Sequence, residues 1–130
     1  MFRQLHLAII QELEKESIYI INASPHPILL NILNDNWESA LHLAVITHQP
    51  KIVRSLILAG ADPSIQNFQG NTALHLVCAS GDLECAKALT EPLTQEERTA
   101  LKGKNPPAIP QNLEQRNFTG KYSFFYYQIK

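Results

Sequence analysis

An all-α solenoid of about three stacked helix-pair units is the fold that this 130-residue sequence predicts. Two observations carry that reading. The tetrapeptide Leu5-His6-Leu7-Ala8 returns as Leu41-His42-Leu43-Ala44 and again as Leu74-His75-Leu76-Val77, with 36 residues between the first two copies and 33 between the last two. Each copy is also followed by a second apolar stripe bounded by Pro or Gly, so each unit reads as two short helices that bury one face on the next unit.

A period of 33 residues is that of the ankyrin repeat. On this frame, residues 1–33 are a first ankyrin repeat, incomplete at its N-terminus, and residues 34–66 and 67–93 are the second and third. Residues 94–116 form a polar insertion loop, and residues 117–130 an aborted fourth repeat with a divergent tail.

In the first unit, Arg3 stands where a capping Ser or Thr is expected, which predicts a frayed first helix. Its second helix is expected over Ser17 to Ala23, ended by Pro25-His26-Pro27, after which Ile28 to Leu33 crosses to the next unit and contains the three extra residues. In the second unit, Ser39 caps a helix from Ala40 that carries Leu41, Ala44 and Val45. Pro50 marks the break, Ile52, Val53, Leu56 and Ile57 form the next stripe, and Gly60 stops it.

The third unit repeats the pattern with Thr72 as cap, Leu74, Val77 and Cys78, a turn at Gly81, then Leu83, Ala86 and Leu89. Between the second and third units, Asn67-Phe68-Gln69-Gly70 reads as a projecting finger whose tight turn needs Gly70. A short helix at Gln95 to Leu101 is expected inside the insertion. Asn117-Phe118-Thr119-Gly120 copies the finger, but Lys121 to Lys130 carries no Leu-His pair. Because Gly120-Lys121-Tyr122 can be written GGT-AAG-TAT, which contains a splice-donor signal, the tail from Lys121 is expected to be intron read-through or a prematurely ended gene model.

Eleven Lys and Arg against 12 Asp and Glu leave a net charge of −1, which offers no footprint for nucleic acid or an anionic membrane. Residues 1–40 are the acidic part, with five acids against Arg3 and Lys15. Cys78 and Cys85 match no CxxC spacing and read as buried apolar residues; free thiols without an export signal point to the cytoplasm. His6, His42 and His75 share one slot in successive units, about 10 Å apart, too far to share an ion, so they are expected to hydrogen-bond locally, as ankyrin histidines do with a capping residue, here Thr72 and Ser39. No phosphate loop, nucleophile elbow or paired-His motif occurs, so no enzymatic activity, no cofactor and no metal are expected. A stacked array leaves its outer surface for binding partners.

A narrower match rests on Asn34 to Pro50, which has Gln49-Pro50 where most ankyrin repeats place Gly, and on Ala59-Gly60-Ala61-Asp62-Pro63 and Phe68 to His75. With Pro25-His26-Pro27, Ile52-Val53-Arg54, Cys85 to Leu89, Glu91 to Thr94 and the placed insertion, the chain resembles the I-kappa-B inhibitors, and the insect members most. That resemblance implies a cytoplasmic, monomeric binding protein of Toll and innate-immune signalling that retains Rel/NF-kappa-B transcription factors by masking their basic nuclear-localisation segment.

It further implies that the basic segment lies over Glu12, Glu14, Asp35 and Glu38. Finger residues Asn34, Asp35, Asn36, Trp37, Gln66, Asn67, Phe68 and Gln69 would contact the partner, together with Thr47, His48 and Ala79 near the inner-helix ends. Trp37 is the favoured anchor, against the alternative that it packs on its own finger. The family's N-terminal phosphodegron, its fifth and sixth repeats and its acidic tail have no counterpart here, so weak masking without removal of the factor from DNA is expected. Two other readings stay open: a constitutive viral-type mimic of such an inhibitor, and a non-functional truncated fragment or generic ankyrin interaction module.

Overall fold

In the computed structural model, residues 2–101 are described, and they form three helix hairpins followed by a short seventh helix. The first hairpin is α1 (Phe2–Ile10) with α2 (Glu14–Ala23), the second α3 (Ala40–Ile46) with α4 (Pro50–Leu58), and the third α5 (Ala73–Ser80) with α6 (Leu83–Thr90). Helices α1, α3 and α5 pack side by side as an inner layer, and α2, α4 and α6 as an outer one. Helix α7 spans Gln95–Ala100, within the short helix expected there. The rest of the insertion, the fourth finger and the tail lie outside the described residues.

The core lies between the layers. Leu5, Ile9, Ile21, Val45, Ile52, Val53, Leu56, Ile57, Val77 and Leu89 are all nearly sealed from solvent, joined by the buried thiols of Cys78 and Cys85. Removing a fully buried side chain of this size from water contributes about 1.5–3 kcal/mol. No single unit could close such a core alone, because each layer needs its neighbour.

Caps decide where the inner helices begin. The hydroxyls of Ser39 and Thr72 accept the backbone N–H of His42 and His75 at 3.3 Å, and each imidazole returns a bond to the cap residue's own N–H. This reciprocal arrangement fixes the start of α3 and of α5. The outer helices begin differently. Pro50 opens α4 as its first residue, where a missing N–H is harmless. Asp82, a cap not foreseen from the sequence, accepts the Cys85 N–H for α6.

Three local expectations are corrected. Helix α2 begins at Glu14 rather than Ser17, with Glu14 and Glu16 in its first turn to favour the helix dipole and with buried Ser17 donating to the Leu13 carbonyl at 2.8 Å. The crossing after it contains a 3₁₀ turn, Pro27–Asn31, and Asn31 Oδ1 accepts the Asp62 N–H at 2.8 Å, so the extra residues dock on the following unit. Leu83, expected in the α6 stripe, is 56% exposed because Cys85, Ala86 and Leu89 face inward instead.

The turns show what the architecture demands of the backbone. His48 (φ 58°) and Gly81 (φ 74°), 33 residues apart, both take left-handed conformations between the paired helices, and Glu12 (φ 58°) does so in the first hairpin. Trp37 (φ 61°) and Gly70 (φ 79°), also 33 apart, do the same in the fingers. Only glycine adopts this conformation without steric cost, so the side chains at 12, 37 and 48 are held against about 1 kcal/mol or more each.

Candidate partner-binding face

Helix α3 is packed by α1, α5 and α4, which leaves one side of the inner layer open. On that side Ile10, Ile46 and Ala79 occupy the same slot of successive units and form a row; Ile10 and Ile46 are 47% and 45% exposed. The sequence reading picked Ala79 but missed the two isoleucines. Stepping back from Ala79 by 33 and then 36 residues would have found them.

The fingers stand at the opposite end of the inner helices from this row, before the N-termini of α3 and α5. Asn34 Oδ1 accepts the N–H groups of Asn36 and Glu38 at 2.9 Å, and Asn67 Oδ1 does the same for Gln69 and Asn71 at 2.9 and 3.0 Å. Backbone bonds from Asn34 to Glu38 and from Asn67 to Asn71 then close each loop. Gln66 Nε2 donates to the Gly70 carbonyl at 2.9 Å. The amide side chains of Asn34, Gln66 and Asn67 are thus committed to shaping the fingers, and Asn67 is buried. That leaves Asp35, Asn36, Trp37, Phe68 and Gln69 exposed, with Glu38 half-buried.

The two large aromatics are the most distinctive surface feature. Phe68 is 62% and Trp37 61% exposed. The left-handed Trp37 backbone turns a side chain outward where the next finger has only Gly70.

The far end of the inner helices carries Thr47, His48, Glu12 and Glu14. The Thr47 hydroxyl donates to the Leu43 carbonyl at 2.7 Å and accepts from Gln49 Nε2 at 2.8 Å, while the same Gln49 amide reaches the Ile9 carbonyl of the first unit at 2.8 Å. Exposed His48 meets Asp82 Oδ2 of the next unit at 2.8 Å, a partner 34 residues away and therefore invisible to local spacing. Burial pushes the Asp82 carboxyl up, but hydrogen bonds from His48 and Cys85 together outweigh it and hold the group below its usual range.

Glu12 and Glu14 flank the α1–α2 turn, and Glu14 sits 3.9 Å from Lys51 in a solvent-exposed pair. Asp35 and Glu38 lie at the opposite end, before α3, a separation of about 10 Å for a seven-residue helix. The four acids expected to act together are therefore two pairs on opposite rims of the inner layer.

Comparison with known proteins places these features. Residues 41–105 match the family model described as ankyrin repeats (3 copies). The NF-kappa-B inhibitor alpha of Sus scrofa is 41% identical over 78% of this chain, and the NF-kappa-B inhibitor cactus of Drosophila melanogaster 40% identical over 90%. The chain spans 33% and 26% of the length of these two relatives. Among solved structures, the ankyrin repeat domain of Bcl-3, a member of the IkappaB protein family, aligns with a TM-score of 0.72 at 30% identity, over 95% of this chain and 49% of that one. No helix among the described residues is long and apolar enough to cross a membrane. With the 33-residue period, the capping boxes and these matches together, the chain belongs to the ankyrin-repeat family, and its repeats are similar to those of the NF-kappa-B inhibitors.

Proposed function

We propose that this chain binds a Rel/NF-kappa-B-type transcription factor through its fingers and inner-helix face, covering the factor's basic localisation segment and so retaining it in the cytoplasm. The observation that carries the proposal is Trp37, an exposed aromatic held in a strained backbone between Asp35 and Glu38. A flat aromatic of this size supplies contact area at low entropic cost, and flanking carboxylates attract a cationic segment and set its register. The similarity to proteins named NF-kappa-B inhibitors supports the choice of partner.

Phe68 extends the same rim, and Ile10 and Ile46 supply apolar area at the opposite end of the inner helices. The chemistry is that of binding, with no step that makes or breaks a bond. A pull-down with a Rel homology region, with and without its basic segment, tests the proposal. Binding that depends on the basic segment is expected; no binding at concentrations on the order of tens of micromolar would overturn it.

A further inference from the structure

Arg54, on the outer helix α4, has five N–H donors, and the structure finds an acceptor for each. Nε and Nη2 grip the two carboxylate oxygens of Glu97 at 2.9 and 2.7 Å. Nη1 donates to the carbonyls of Ala88 and Glu91 at 3.0 and 2.9 Å, and Nη2 also to that of Pro92 at 3.1 Å. One guanidinium of the second unit thus completes the C-terminal end of α6 in the third unit and draws α7 back against it. Lys87 stands in the equivalent slot one unit later, and an ammonium cannot form this planar fork.

Helix α7 has little else to hold it. It is six residues long with no buried residue, far too short to persist as an isolated helix. Its start is a capping box in which Thr94 Oγ1 accepts the Glu97 N–H and Glu97 Oε1 accepts the Thr94 N–H at 2.9 Å. Glu97 Oε1 is also the atom nearest Arg54 Nη2. Helix nucleation and docking therefore share one carboxylate. The same guanidinium holds that carboxyl down at about 2, so the charged form persists across the physiological range.

We infer that residues 91–100 form a strap that folds only while Glu97 is seated on Arg54, opening and closing as a unit while the three helix hairpins stay intact. This conformational device lies on the outer layer, away from the inner face that carries the proposed partner site. Its side-chain to side-chain fastening is the Arg54–Glu97 pair, and the same guanidinium holds the start of the strap through the Glu91 and Pro92 carbonyls.

Hydrogen–deuterium exchange on the full chain tests it, comparing the wild type with Glu97→Gln and Arg54→Lys. In both variants the amides of Arg98 and Leu101, which close the turns of α7, should exchange about tenfold or more faster, while those of α3 and α5 stay unchanged. Glu97→Gln leaves the carbonyl contacts of Arg54 in place, so it reads the fastening even if Arg54→Lys unfolds. Unchanged exchange in α7 would overturn the inference. So would equal acceleration in α3, which would make α7 part of the cooperative core.

Discussion

His42 Nε2 lies 2.8 Å from the carbonyl oxygen of Asn71, so the histidine that starts one inner helix holds the finger of the next unit. Its other nitrogen receives the N–H and hydroxyl of Ser39 at 3.2 and 2.8 Å. His6 reaches a different partner: its Nε2 lies 3.0 Å from the carbonyl of Ile32, in the crossing that leads to the second unit. The Leu41-His42 pair is therefore a joint between repeats as well as a cap within one.

The joint should be sensitive to acid. Burial holds the His42 imidazole below its ordinary value of 6.5, with the Asn71 carbonyl opposing in part. The unfolded chain then takes up a proton before the folded one does, so this contribution to stability is complete above 6.5 and declines as the pH falls below it. Thermal melts followed by circular dichroism from about pH 7.5 to about pH 5.5 should show a falling Tm. His42→Ala should cost about 2–4 kcal/mol at neutral pH and flatten that slope. An unaltered slope in the variant would assign the pH dependence elsewhere.

Trp37 separates stability from binding. Trp37→Gly removes an aromatic that is 61% exposed and relieves a left-handed backbone, so stability should stay within about 1 kcal/mol of the wild type. Affinity for the basic segment should fall about tenfold or more if Trp37 is the anchor. Isothermal titration and a urea melt on the same preparation give both numbers, and a binding loss matched by an equal stability loss would argue against the anchor role.

Gly60 is needed for two independent reasons. Its φ is 98°, and a Cβ there would sit 2.9 Å from Pro27 Cβ in the turn that follows α2. Gly60→Ala should therefore lower stability by about 1–3 kcal/mol, read as a lower urea midpoint at unchanged m-value. Adding Pro27→Gly, which removes the Cβ and Cγ that the new methyl would meet, should recover only the steric part, because the positive φ remains.

The two thiols should report global unfolding. Burial pushes Cys78 up to about 11 and Cys85 up to about 12, the latter aided by Asp82 and Glu84, so at about pH 8 at most about one molecule in a thousand carries either thiolate. Reaction with an aromatic disulfide should be at least about a hundredfold slower in the folded chain than in urea, and should track the unfolding transition. Fast labelling of one cysteine under native conditions would place it in a locally opening segment instead.

Much of the fold was legible because its signals are local. Ser39, Thr72 and the Leu-His pairs that follow them lie within one turn of the helix starts, so spacing alone placed the beginnings of α3 and α5. The start of α2 was missed because Leu13 provides no side-chain cap, and the helix instead uses Glu14 and Glu16 near its dipole. Leu83 was misplaced because an eight-residue helix carries too few turns to fix its inward face by periodicity. In the candidate site, the exposed positions Asp35, Asn36, Trp37, Phe68 and Gln69 could be read from the finger pattern, whereas the burial of Asn67 depends on a turn geometry that composition does not reveal.

The sequence by itself determined the repeat period, the all-α class, the inner-helix caps and the glycines of the turns, since each depends on contacts between residues a few positions apart. Tertiary structure alone decided what joins one unit to another: His42 to Asn71, His48 to Asp82, Gln49 to Ile9 and Arg54 to Glu97. It also split the four acids onto two rims and brought Ile10 and Ile46 into one row with Ala79. The physical reason is distance along the chain: these partners are 29 to 43 residues apart, and only the stacking of one hairpin on the next brings them within bonding reach.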